Sequence, residues 1–162
     1  MVKTIKGDLL ECGANLLCHQ TNYYGVMGGG IAASIRAKAL SKKSYQAYKD
    51  WCRECGRGLL GRVQILPYEG HEGQFIVNMF CQDDEHPDPD GNITDYDEMR
   101  WAMTLIELEA RAKHLSVAFP ARIGCGIAGG DWHKVNEMIH RVFGPSSVDC
   151  TIVYWDKEAS RG

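Results

Sequence analysis

The chain has 162 residues, 44% hydrophobic and 24% charged, with a formal net charge of -3. That length fits one domain able to bury most of its unfolded surface, and the slight acidity excludes a basic field for capturing nucleic acid nonspecifically. No apolar run reaches the roughly 18 residues of a membrane-spanning helix, and the start MVKTIKGDLL lacks the apolar core of a secretory signal, so a cytoplasmic protein with no membrane partner is expected.

Short β-branched and apolar runs recur along the chain. VKTIK (2–6), NLLCHQ (15–20), GRVQILPY (61–68), FIVNMF (75–80), SVAFP (116–120) and CTIVYW (150–155) predict six strands. Helices are expected at about 30–39 and 41–54. A longer one is expected over 95–113, where Met99, Ala102, Met103, Ile106 and Ala110 recur at helical spacing behind a Thr94-x-x-Asp97 start resembling a capping box. The last spans 132–143, with Val135, Met138, Ile139 and Val142 on one face and Gly144-Pro145 as the stop.

Alternating strands and helices indicate a three-layer α/β/α sandwich over a mostly parallel sheet. The runs at 61–68 and 75–80 are joined by a short connection, Glu69 to Gly73 at its heart, without a helix, which implies a hairpin and so a mixed, about six-stranded sheet. A single domain is expected over 1–156, with 157–162 a loose tail.

Seven scattered cysteines suit reduced thiols rather than a disulfide framework. Cys52-x-x-Cys55 has no second pair to complete a zinc site and reads as a helix end. The acidic stretch DDEHPDPDGNITDYD misplaces the glycine and the final glutamate of a calcium loop, and reads as solvated. No metal and no cofactor is expected.

Two glycine-rich loops stand at strand-to-helix junctions: HQTNYYGVMGGGIAAS (19–34) and IGCGIAGGDW (123–132). Backbone without Cβ atoms can approach phosphate oxygens closely, and the first turn of a helix offers unpaired N–H groups, so each loop is a candidate anion cradle. Neither closes with the Gly-Lys-Ser/Thr of a P-loop, and no Gly-x-Gly-x-x-Gly follows the first strand. ATP hydrolysis and hydride transfer are disfavoured.

The order GDLLECGANLLCHQTN, GGGIA, FIVNMF, TDYDEM and AFPARIGCGIAGGDW resembles a macrodomain, the ADP-ribose-binding fold, over nearly the whole chain. The likeness is to the branch that includes the terminal ADP-ribose protein glycohydrolase and the yeast ADP-ribose 1″-phosphate phosphatase. It implies that Asp8 accepts from the adenine amino group, with Leu9 adding a backbone contact. Gly28, Gly29, Gly30 and Ile31 would wrap the distal ribose and phosphate. Gly124, Cys125, Gly126, Ile127, Ala128 and Gly129 would hold the diphosphate, Cys125 as a small buried residue. Either Tyr154 or Trp155 would face adenine.

Within that frame, Asn22 can both donate to and accept from sugar hydroxyls, or can shape its loop as an Asx-turn. His19 suits acid or base duty, or is a satisfied strand histidine. Asp131 is either a helix cap or a carboxylate that activates water. The branch's catalytic lysine falls at Phe80 or Cys81, and its aspartate at Ile127 or Ala128, so a lysine-covalent mechanism is not expected. The implied function is ADP-ribose binding with water-based, metal-independent hydrolysis of a distal-ribose-linked derivative: ADP-ribose 1″-phosphate, or an ADP-ribosylated protein or nucleic acid. A reader that binds ADP-ribose unchanged is the alternative.

Overall fold

A computed structural model describes residues 1–156; the tail expected at 157–162 lies outside the described residues. The strands are β1 (Val2–Gly7), β2 (Leu16–Thr21), β3 (Val63–Pro67), β4 (Phe75–Phe80), β5 (Val117–Pro120) and β6 (Cys150–Trp155). The helices are α1 (Gly30–Lys38), α2 (Lys42–Cys55), α3 (Tyr96–Lys113) and α4 (Trp132–Phe143), with 3-10 turns at Leu9–Glu11 and Gly56–Leu59. The sheet order is β1-β6-β5-β2-β4-β3, and every neighbouring pair is parallel except β3 with β4. The mixed sheet and its hairpin are as the short helix-free connection implies.

Each face of the sheet carries its own core, because successive side chains of a strand point to opposite sides. On one face Leu16, Cys18, Val77, Met79 and Phe119 meet α3 and α4 through Met103, Ile106, Val135 and Phe143. On the other, Leu17, Ile76, Phe80 and Ala118 meet α1 and α2 through Ile35 and Tyr48. This is the three-layer sandwich. Among the described residues no helix is long and apolar enough to cross a membrane, and all seven cysteines are unpaired.

The start of α3 differs from the expected Thr94 box. Asp95 is the cap, its carboxylate accepting the Glu98 N–H, while Thr94 is buried and its hydroxyl donates to the Gly124 carbonyl at 2.7 Å. Thr94 is thus committed to the second glycine loop.

Candidate functional site

Because β1, β6, β5, β2 and β4 are parallel, their carboxyl ends share one edge of the sheet, where ligands of open α/β folds bind. A cavity of about 660 Å³ lies along that edge, within the usual range for a small-molecule site. Read in sheet order, its wall carries Asp8 after β1, Trp155 on β6, Arg122 after β5, Asn22 after β2, then Gln82 and Asp84 after β4. Both glycine loops line it, and they approach each other: a Cβ on Gly29 would lie 3.6 Å from Ile127 Cδ1.

Asn22 folds the first loop. Its Oδ1 accepts from the N–H of Tyr24 at 3.0 Å and from the Tyr48 hydroxyl at 2.9 Å, and its Nδ2 donates to the Val26 carbonyl at 2.9 Å. This is the Asx-turn, and it leaves one Nδ2 hydrogen without a partner among the described residues. The loop delivers Gly29 as the N-cap of α1 with no side-chain hydrogen bond, so the first N–H groups of α1 remain open toward the cavity.

The second loop folds back on itself. Gly130 donates to the Gly124 carbonyl at 2.9 Å, and a Cβ on Gly130 would sit 2.5 Å from that oxygen. Gly124, at φ +72°, also lies against Gln20, Met99 and Thr94. These two glycines are required by the protein's own packing. Gly28 and Gly126 are different: neither has positive φ, and an added Cβ would meet only Val26 at 3.6 Å in the first case and nothing within 4 Å in the second. Both line the cavity. Side chains are absent there although the fold has room for them.

The description of the matching family model is Macro domain, and it covers residues 18–139. The chain belongs to the macrodomain family. A curated relative, the ADP-ribose 1″-phosphate phosphatase of Scheffersomyces stipitis, is 33% identical over 100 residues, covering 51% of this chain and 57% of that protein. The match therefore spans little more than half of the relative's length. The macrodomain of Mycobacterium tuberculosis DarG superposes with a TM-score of 0.78 at 24% identity, covering 94% of this chain and 97% of that one. The DarTG of Thermosipho africanus, solved in complex with ADP-ribose, does so at 0.74 with 18% identity, covering 97% of this chain and 42% of that one. At these identities the structural likeness speaks for the fold.

In this macrodomain, Asp8, Leu9, Asn22, Gly28 to Ile31, Gly124 and Gly126 to Ala128 reach the cavity wall. Asp8 caps the turn Leu9–Glu11, its Oδ1 accepting the Leu10 N–H at 2.9 Å. Five expected residues do not line the cavity. His19 is fully buried on the α1–α2 face, its Nε2 2.6 Å from Asn78 Oδ1; burial pushes the imidazole down to about 4, against the Asn78 hydrogen bond. Asp131 is the N-cap of α4 and accepts the His133 N–H at 2.9 Å. Cys125 turns its thiol to the Ile123 carbonyl, and burial, with Asp131 adding to it, lifts it to about 11. Gly129 sits instead against Asn92.

Tyr154 is the fifth. It points to the α4 side, edge-on to Trp132 at 6.3 Å, while Trp155, which shares a strand face with Val153, lines the cavity. Of the two aromatic residues it is Trp155 that faces the trough.

Several wall residues of the macrodomain carry no glycine or motif signal. Gln20 sends Nε2 to Thr94 Oγ1 at 3.0 Å and toward Gln82 Oε1 at 3.4 Å, and accepts from the Cys81 thiol. Gln82 in turn donates to Asp84 Oδ1 at 2.9 Å. The acidic stretch is therefore more than a solvated loop. A bridge between Gln82 and Thr94 closes its neck, Asp83 accepts from Tyr23 and Arg57, and the Ile93 N–H donates to the Ala128 carbonyl. Arg122 stands at mid-cavity with φ +65°; its carbonyl accepts the Cys125 N–H at 2.8 Å, while its side chain has no hydrogen bond or ion pair among the described residues.

Proposed function

We propose that this macrodomain binds ADP-ribose along the trough and hydrolyses a derivative joined through the distal ribose, ADP-ribose 1″-phosphate first among them. The observation that carries the reading is the pair of cavity glycines, Gly28 and Gly126, that no contact or backbone angle of the protein requires. A ligand that comes against bare backbone does require them. The relatives named ADP-ribose 1″-phosphate phosphatase and the ADP-ribose complex of the Thermosipho africanus protein support the choice of ligand.

The wall then divides the ligand. Asp8 takes the adenine amino group beside Trp155, the open N–H groups of α1 and the second loop hold the diphosphate with Arg122, and the spare Nδ2 hydrogen of Asn22 meets a distal hydroxyl. Water supplies the nucleophile, and no step is routed through a metal. The unpaired thiols suit the reducing cytoplasm as the place of action.

A reader that binds ADP-ribose without turnover is the second reading. It is favoured by His19 and Asp131 both lying off the cavity wall. Incubation with ADP-ribose 1″-phosphate, glutamate-linked ADP-ribosylated protein and ADP-ribosylated nucleic acid, alongside calorimetry with ADP-ribose, separates them. Release of phosphate or ADP-ribose supports the hydrolase; binding without release on all three leaves the reader. No heat with ADP-ribose refutes both.

A further inference from the structure

Among the described residues the ionisable side chains on the cavity wall are Asp8, Lys38, Asp84 and Arg122. Lys38 and Arg122 are cations and cannot take a proton from water at neutral pH. Asp8 and Asp84 follow β1 and β4, four strand spacings apart in the sheet, or roughly 19 Å at the usual 4.7–4.9 Å per strand. They therefore stand at opposite ends of the trough. With the adenine amino group on Asp8, the distal ribose and its scissile bond lie toward Asp84.

Asp84 is also held in place. Gln82 Nε2 donates to its Oδ1 at 2.9 Å, Gln82 Oε1 receives Gln20, and Gln20 donates to Thr94, whose hydroxyl donates to the Gly124 carbonyl. One line of amides and a hydroxyl thus runs from the second glycine loop to the carboxylate. Its Oδ2 has no partner among the described residues. An oriented carboxylate with one open oxygen, on the wall of the cavity that both glycine loops line, is what water activation needs.

Resting on the hydrolase reading above, we infer that Asp84 is the catalytic base at the distal end of the trough, and that Gln82 positions it. On ADP-ribose 1″-phosphate, Asp84 takes a proton from water as the water oxygen bonds to phosphorus. The bond from phosphorus to the ribose oxygen breaks, its electron pair stays on that oxygen, and Asp84 returns the proton there. ADP-ribose and inorganic phosphate are the products.

The test uses wild type, Asp84→Asn, Asp84→Glu and Gln82→Ala, following phosphate release from ADP-ribose 1″-phosphate across pH and binding of ADP-ribose by calorimetry. Asp84→Asn should lower kcat by about 100-fold or more, the usual scale for a lost base, with the Kd for ADP-ribose held within about 3-fold. The acid limb of the kcat profile should disappear in Asp84→Asn, return in Asp84→Glu, and shift in Gln82→Ala. Turnover by wild type with Asp84→Asn equally fast overturns the assignment and leaves the hydrolase reading intact. Wild type that binds ADP-ribose and releases no phosphate overturns the assignment along with hydrolysis of this substrate; absence of binding overturns the whole functional reading.

Discussion

His19 and Asn78 face each other across β2 and β4, both fully buried, with the imidazole Nε2 2.6 Å from the amide Oδ1. Asn78 donates its Nδ2 to Gln64, so its oxygen accepts and His19 Nε2 carries the proton. The other ring nitrogen, Nδ1, has no partner among the described residues. Burial therefore holds the ring neutral in the fold, down to about 4 against an ordinary 6.5. The unfolded chain binds the extra proton between those values, so this contribution is whole above 6.5 and is lost as pH falls toward 4. At about 1.4 kcal/mol per unit it amounts to roughly 3 kcal/mol. Urea unfolding should show that decline on acidification, and His19→Gln, though less stable at pH 7, should lack this component of the slope.

The glycines sort into two kinds with opposite signatures. Gly28→Ala and Gly126→Ala add a methyl where the protein has room, so unfolding free energy should move within about 0.5 kcal/mol. ADP-ribose affinity should fall at least about tenfold, or roughly 1.4 kcal/mol. Gly130→Ala places its methyl 2.5 Å from the Gly124 carbonyl, and should cost about 1–3 kcal/mol of stability as an overpacked site does. Calorimetry and thermal melts on the three variants check the division. Unchanged affinity in the first two would remove the ground for the ligand reading.

The fold was readable because its signals are local. The run FIVNMF is β4 residue for residue, CTIVYW is β6, and the Val135 to Val142 spacing ends at the Gly144 cap as the pattern of α4 requires. The wall of the candidate site was readable where backbone makes it, in the two glycine loops that line the cavity. It was not readable where strand parity decides. A shift of one position separates His19, sealed under α1 and α2, from Gln20, whose amide ties β2 to the cavity wall. The same shift separates Tyr154 from Trp155. Asp84 and Arg122 were hidden for another reason: an acidic stretch and a turn residue acquire meaning only when the chain end of a distant strand is brought beside them.

Asp131 has its carboxylate on the His133 N–H and lies off the cavity wall. Asp131→Ala should thus cost about 0.5–2 kcal/mol of stability through the lost cap, while Asp131→Ser, which can cap, recovers most of it. Turnover and ADP-ribose affinity measured below the melting range should match wild type. A large loss of kcat in both variants would restore Asp131 to the chemistry.

Arg122 tests whether a strained backbone serves the ligand. A non-glycine residue at φ +65° is held there at a cost of about 1–2 kcal/mol, and the side chain gains no ion pair or hydrogen bond from the described residues in return. Arg122→Gly relaxes that strain and should leave the melting temperature unchanged or raised. It also removes the cation at mid-cavity, between Trp155 and Asn22 in sheet order, where the diphosphate is proposed to lie. Affinity for ADP-ribose should then fall by about tenfold, and more steeply at low salt than at high salt, because screening weakens the charge that was removed. Arg122→Lys should restore the charge without the fork and recover part of the binding. If Arg122→Gly gains stability and binds ADP-ribose as well as wild type at every salt concentration, the strain has a cause other than the diphosphate.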